Sequence, residues 1–389
     1  MTTAGFHDVV AAFQTPSTRP DPRTPARVTV LGSGIEGRAL AAWFLAEGAE
    51  EVRLFTVYAE EMEALSRGSI TLRGEGPVGT FRVNGERPSI EVTSVLDTAV
   101  ADADVIVVSG PVLKQRTYGL VLAQHVKDGQ IVMVANASTF GGLELAHWLR
   151  AGGATGDVTV VEMTSMPFDI ADEAGTIMLT RRRAAPCGVL PQSASSTIER
   201  LALHIPDLEA RPTILHSSFA DGSAVVEVPA LLVGGPAVPG AIADTLPGAH
   251  PAGGGAFASL LGERHRALIS SLAAERRMVA ARFGVRDLPE DEEWIEKVAG
   301  STEGPGIRVV PTTSRAIAQV RDGVLGSLVP LMSAAIAAGV EVPVTSSIVA
   351  MAESMLGGDL RAAGRSLSQI GFAGLDPDAI RARLSGGAA

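Results

Sequence analysis

Cysteine is almost absent. Cys187 stands alone among 389 residues, which excludes an internal disulfide and any cysteine-rich metal site and points to a cytoplasmic setting. No uninterrupted apolar run reaches the ~18 residues that cross a bilayer, so no membrane partner is expected. The first 25 residues, punctuated by Pro16, Pro20, Pro22 and Pro25, lack the basic start and long apolar core of a signal peptide. They read as an N-terminal extension with one short helix. Basic residues are outnumbered, 32 Lys and Arg against 43 Asp and Glu, for a net charge of −11. Beyond Arg181-Arg182-Arg183 no basic patch stands out, which argues against nucleic acid. That triplet reads as a solvated edge or loop, or as a contact for an anionic substrate. His125, His147, His204, His250 and His265 share no metal-ligand spacing, so no metal is expected. No internal repeat is visible.

What is present is the composition of a soluble globular protein, 46% hydrophobic and 19% charged. Its length exceeds a single core and predicts two domains. The chain is organised around Val28-Thr29-Val30-Leu31-Gly32-Ser33-Gly34-Ile35-Glu36-Gly37. Four apolar or β-branched residues make a buried strand, the glycines turn it, and Ala39, Leu40, Ala42, Trp43, Leu45 and Ala46 continue at helical spacing. Gly32, Gly34 and Gly37 take the first, third and sixth places of G-x-G-x-x-G. They serve, in turn, the tight turn, room for a pyrophosphate against bare backbone, and close packing of helix on strand. The free N–H groups of the new helix then face the phosphates, so Gly32, Ser33, Gly34, Ile35, Glu36 and Gly37 are the first candidates for a dinucleotide site.

A second strand, Glu51–Phe55, ends where an Asp or Glu normally holds the ribose hydroxyls of NAD. Thr56-Val57-Tyr58 stand there instead. The missing carboxylate would no longer repel a 2′-phosphate and tilts the choice toward NADP, but nothing basic follows and Glu60 and Glu61 are close by. NAD stays open. Val105–Val108 and Ile131–Val134 are continuous apolar runs, as expected of parallel strands covered on both faces. Ligands bind beyond the carboxyl ends of such strands, which brings in Gly110 and Pro111 after the first and Asn136 and Thr139 after the second. Val158–Val161 forms a further strand.

From about residue 200 the alternation gives way to apolar stripes at helical spacing: 222–233, 263–283, 290–299, 324–339, 345–356 and 359–369. The helix ending at Phe283 is capped by Gly284, with Arg276 and Arg277 complementing its dipole. Segment 234–256, rich in Gly, Pro and Ala, reads as a loop or lid. The expected architecture is therefore α/β plus all-α. An extension (1–25) precedes a Rossmann doubly wound parallel sheet (26–207), which is followed by an all-helical domain (208–389).

Several strings, in shared order, resemble the octopine/nopaline (opine) dehydrogenases. They are Val161-Glu162-Met163-Thr164-Ser165-Met166-Pro167-Phe168, Leu215-His216-Ser217-Ser218-Phe219, Ser327-Leu328-Val329-Pro330-Leu331, the run Gly364 to Gly371, and Ala135-Asn136 with Thr139 and Gly142-Leu143-Glu144. The resemblance spans about 27–386. It implies reductive condensation: an amino acid amine and a 2-oxo acid form an imine, and a nicotinamide delivers hydride to it. The partners would be a small amine and a small carbonyl compound. Such chemistry needs an acid/base with a pKa near working pH and donors for the carboxylates, often Arg. Arg276 and Arg315 are candidates for that clamp.

The family's acid/base is the histidine of a His-Pro pair. Here the proline is matched by Pro229, shifted by one, and Glu227 or Val228 stands where the histidine would be. The partner carboxylate is matched by Asp322, itself one residue out of register. Three routes stay open. Glu227 acts as acid/base, with burial beside the nicotinamide raising its pKa; or His216 takes that role; or the substrate is a preformed imine whose protons come from water. The bland alternatives are that Glu227 faces solvent, that His216 is a hinge residue and that Asp322 caps a helix. Other outcomes consistent with the sequence are an imine reductase, a hydroxy-acid dehydrogenase, or a non-catalytic NAD(P)-binding protein. An exposed helical domain also suits a homodimer.

Overall fold

The computed structural model describes residues 25–233, 235–237, 255–304 and 306–385. The expected N-terminal extension up to residue 24, most of the 234–256 segment and His250 lie outside the described residues.

The front half alternates strand and helix: β1 (Arg27–Leu31), α1 (Ile35–Ala46), β2 (Glu51–Phe55), α2 (Ala59–Ser66), β3 (Ser69–Gly74), β4 (Gly79–Arg82), β5 (Ile90–Thr93), α3 (Leu96–Val100), β6 (Val105–Val108), α4 (Val112–Leu122), β7 (Ile131–Val134), α5 (Gly141–Ala151) and β8 (Thr159–Met163). Then follow β9 (Asp169–Glu173), β10 (Thr176–Thr180), β11 (Ala185–Leu190), α6 (Ser196–Ala202) and β12 (Leu208–Ala210). The main sheet runs β12-β11-β8-β7-β6-β1-β2-β5. It is parallel except where β11 runs against β8. Strand β1 has β2 on one side and β6 on the other, the reversal of winding at which a doubly wound sheet opens a ligand crevice. β6 and β7 are buried at every position, because helices cover both faces of their Val- and Ile-rich runs.

A second sheet, β4-β3-β10-β9, packs on the outer side of α1. The short strands and turns expected from sequence over 68–93 include β3 and β4, whereas β9 and β10 were missed, since their residues are only partly buried and carry polar side chains. Trp43 joins the layers: its ring stacks on Phe168 with centroids 4.8 Å apart, and its indole N–H donates to the His204 carbonyl at 2.7 Å. Truncating such a buried aromatic costs about 3–5 kcal/mol. The sheet also runs to Ala210 through β12, three residues past the boundary expected at 207.

The rear half is helical: α7 (Ile214–Ala220), α8 (Ser223–Leu232), α9 (Glu263–Arg282), α10 (Asp291–Ala299), α11 (Thr313–Gly323), a π turn (Val324–Leu328), α12 (Val329–Ala338), α13 (Pro343–Leu356), α14 (Leu360–Ala363) and α15 (Pro377–Leu384). The apolar stripe 359–369 is helical only over α14, and α11 and α15 have no counterpart among the stripes. Helix Thr313–Ala338 is long and apolar enough to cross a membrane, yet 61% of its most apolar window is buried inside the protein. It is a core helix, with Val320, Val324, Leu325 and Leu328 wholly inside.

A buried polar seam joins the halves. Arg365 is fully buried and pairs with Glu144 at 2.7 Å, while its Nη1 donates to the Ala137 carbonyl at 3.1 Å and the Gly326 carbonyl at 3.3 Å. Arg116 holds the other Glu144 oxygen at 2.8 Å. Burial pushes the Glu144 carboxyl up, but Arg365 and Arg116 together keep it below its ordinary value. Arg276, also fully buried, donates to the carbonyls of Phe219 and Ser218 at 2.9 Å each and to the Thr139 hydroxyl at 2.8 Å. Burial lowers its pKa to about 10, partly offset by Asp221. Arg276 is thus neither a surface complement to the helix dipole nor a free carboxylate clamp: its donors are consumed in the seam.

Candidate active site

The glycine turn does what its spacing predicts. Gly32 sits at φ +108°, and a Cβ there would stand 2.7 Å from the Ser109 carbonyl oxygen. A Cβ on Gly37 would stand 1.8 Å from the Gly32 oxygen, so α1 rests directly on the turn. At Gly34 an added Cβ would meet nothing within 4 Å, leaving bare backbone open to the cleft. Gly34 caps α1 with no side-chain hydrogen bond, so the first N–H groups of that helix remain available for an anion. The cradle fits a dinucleotide pyrophosphate.

A cleft of about 330 Å³ opens over this turn. Its walls include Gly32, Ser33, Gly34, Ile35 and Glu36 from the turn, Thr56 from the end of β2, Gly110 and Pro111 after β6, Asn136 after β7, and Asp322 from the helical half. Gly37 lies beneath the turn and packs it. Thr139 is not a wall: it is fully buried, and its hydroxyl belongs to the Arg276–Ser327 network. Lys114 and Tyr118, which sequence reasoning missed, also line the cleft, as do Tyr58 and Glu61, noted from sequence only beside the end of β2. Their signal was only nearness to a strand end.

The backbone around the β7 end is constrained. Asn136, Ser138 and Phe140 all have left-handed φ, between 55° and 64°, each a cost of order 1–3 kcal/mol for a residue with a side chain. Hydrogen bonds to neighbouring segments hold them: Ala137 and Ser138 donate to Met163 and Thr164, and Thr139 donates to Gly326 of the π turn at 2.9 Å. Gln115 ties the two cleft loops by donating to Gly110 and Asn136 carbonyls at 2.9 and 3.3 Å.

Charged groups from both halves come within electrostatic reach of one another: Glu36 and Asp322 line the cleft, whereas Glu227 and Arg308 line a separate small cavity. Asp322, half-buried at the end of α11, receives the Val112 backbone N–H, and burial still pushes its carboxyl up to about 6. Glu36, in the first turn of α1, is raised by burial; Arg315 opposes that shift, while Asp322 and Glu227 add to it. Glu227 therefore stands within electrostatic reach of the turn, but not as the isolated acid expected. Its Oε1 pairs with Arg308 Nη2 at 2.6 Å, and burial of Arg308 is more than offset by Glu227 and Asp169 together, so the guanidinium is held above its ordinary value. The Arg308 guanidinium lies 4.3 Å from the Phe257 ring centroid. Arg308 carries no sequence signal, since nothing local distinguishes it from a surface arginine. Arg315 is exposed, donates to the Ile170 carbonyl at 2.9 Å and is brought to the same cluster.

His216 is not. Thr213 caps its helix and bonds its Nδ1 at 2.8 Å, its Nε2 faces Asp287 at 3.8 Å, and it lines neither the cleft nor the small cavity beside Glu227. The ring turns outward because the buried side of α7 is taken by Ser217 and Ser218, whose hydroxyls donate to Glu162 at 2.8 and 2.7 Å. The arginine triplet is less solvated than expected: Arg181 and Arg183 both pair with Asp169 at 2.7 Å, and Arg181 also caps the carbonyls ending α10.

The π turn begins after Gly323, the residue next to Asp322, and Gly323 packs against Ala224 and Val228 of α8.

No protein-family model matches the chain. It is 27% identical over 371 residues to an opine dehydrogenase of Arthrobacter sp. (strain 1C), covering 91% of this chain and 98% of that protein. Among solved structures it superposes on octopine dehydrogenase with NADH and pyruvate (TM-score 0.69, 17% identity, 94% of this chain and 99% of the other). It likewise superposes on yersinopine dehydrogenase with NADP+ bound (TM-score 0.61, 14% identity, 94% and 99%). At those identities the structural likeness establishes the fold: a Rossmann sheet followed by a helical half.

Proposed function

From the premise that this chain is an NAD(P)-dependent oxidoreductase of opine-dehydrogenase type, we propose that it joins a small amine to a 2-oxo acid and reduces the resulting imine to a secondary amine. The reading rests on one observation. An acid with a pKa raised to about 6, Asp322, is delivered by the helical half into the cleft that the glycine turn opens. A nicotinamide dinucleotide, held by the glycine turn and the first N–H groups of α1, would supply the hydride.

The remaining steps need protons and positions. Attack of the amine on the 2-oxo carbon gives a carbinolamine, and its hydroxyl must leave as water. Protonated Asp322 donates that proton, and its carboxylate form takes one from the amine, as a group titrating near working pH does best. This assigns to Asp322 the role first expected of Glu227. The Glu227–Arg308 pair instead orients charge: Arg308 and Arg315 suit a substrate carboxylate, and Glu227 keeps Arg308 aimed. The strained β7 loop and the seam hold this arrangement rigid between the halves.

The test is NADH or NADPH oxidation by the purified chain against a panel of amino acids, amines and 2-oxo acids, tried singly and in pairs. Turnover that needs both an amine and a 2-oxo acid, with a secondary amine identified by mass, supports the proposal. Turnover of preformed imines or lone ketones only, or cofactor binding with no turnover, overturns it. In the reductive direction kcat/KM should fall as pH rises through about 6, where Asp322 loses its proton, and the oxidative direction should show the opposite limb.

A further inference from the structure

Taking the cleft as the dinucleotide site, we infer that Glu61 is the residue that selects the cofactor, and that it selects NAD(H). Strand β2 ends without a carboxylate of its own, but Thr56 supplies one by recruitment. Thr56 is 2% exposed and fixed by its N–H to the Thr93 carbonyl at 3.1 Å. Its hydroxyl donates to Glu61 Oε2 at 2.8 Å and accepts the Tyr58 N–H at 3.3 Å. That hook draws a side chain from the first turns of α2 back to the strand end, where a doubly wound fold places the group that meets the adenosine ribose.

Glu61 Oε1 has no hydrogen-bond partner among the described residues, so it can accept from the two ribose hydroxyls. A 2′-phosphate at that spot would bring its negative charge against the Glu61 carboxylate. One cation, Lys114, lines the same part of the cleft, its Nζ 5.2 Å from the Tyr58 ring centroid. Its position over the ring fits the rim of an adenine pocket. Among the cleft walls Lys114 is joined by no arginine, and a carboxylate held at the strand end by Thr56 suits a neutral diol and opposes a phosphate.

The experiment titrates NADH and NADPH separately into the purified full chain, following nicotinamide fluorescence, for the natural protein, Glu61→Gln and Thr56→Val. The natural protein should bind NADH at least about tenfold more tightly than NADPH, the scale of one charge-assisted hydrogen bond. Glu61→Gln should weaken NADH and strengthen NADPH, bringing the two within a few-fold. Thr56→Val should move both the same way by less, because Glu61 stays but is no longer held. Circular dichroism of each variant checks that the fold is kept. NADPH binding as tight as NADH in the natural protein, or a Glu61→Gln ratio equal to the natural one, overturns the assignment while leaving the dinucleotide site standing. Binding of neither cofactor overturns the site itself and this assignment with it.

Discussion

Arg365, Arg116 and Glu144 in the seam contrast with Asp322 and Glu36 on the cleft wall, while Glu227 and Arg308 line a separate small cavity. In the seam both oxygens of Glu144 are taken by guanidinium groups, and its carboxyl is held below its ordinary value. In the cleft Asp322 and Glu36 are held above theirs, because burial is only partly answered by donors. Paired buried charges make a rigid joint, although Arg365 Nη2 has no partner of its own among the described residues. An acid on an open wall whose pKa burial raises, as with Asp322, is what chemistry uses.

The sharpest way to break this contrast is Asp322→Asn. It should lower kcat/KM by about 10²–10⁴, the usual worth of a positioned acid/base, with an unfolding midpoint close to the natural one. Equal loss of activity and stability would place Asp322 with the seam instead. Glu144→Ala is the converse. It strands the buried Arg365 and should cost about 3–5 kcal/mol in denaturant unfolding, while the folded fraction keeps its KM for cofactor. Glu227→Gln should be milder: KM for the oxo acid rising by about tenfold, with kcat less affected, as Arg308 loses a charged partner.

A pH-dependent effect on stability concerns Glu162. Buried in the sheet, it accepts from the Gly142 N–H and the Ser217 and Ser218 hydroxyls, yet burial raises its pKa from 4.5 to about 7. The folded value lies above the unfolded one, so the folded state binds more protons between pH 4.5 and 7. Stability should therefore fall as pH rises through that window. Unfolding midpoints measured across it should show a slope that Glu162→Gln removes.

Much of the fold was legible locally. β1, the glycine turn and α1 announce themselves because strand, turn and helix each have a period or residue type that short sequence carries. Half of the small second sheet was not: short strands were expected over 68–93, but Asp169–Glu173 and Thr176–Thr180 hide among polar residues and are strands only because partners bond them. In the site, the turn and the β6 and β7 ends were readable, whereas Thr139 and Arg276 looked like binding residues and became seam. His216 looked like a catalyst and is a capped helix start.

Alone, the order of residues determined that a dinucleotide-type turn leads into a two-part chain, and which acids were available near it. Only the tertiary structure decided which acid meets the cleft, which is neutralised by Arg308 or by Arg365, and that Glu61 is pulled to the end of β2. Those outcomes depend on burial and on partners far away in sequence, as with Arg365 and Glu144, 221 residues apart. The free energy of a charge depends on what surrounds it in space, which no local pattern records.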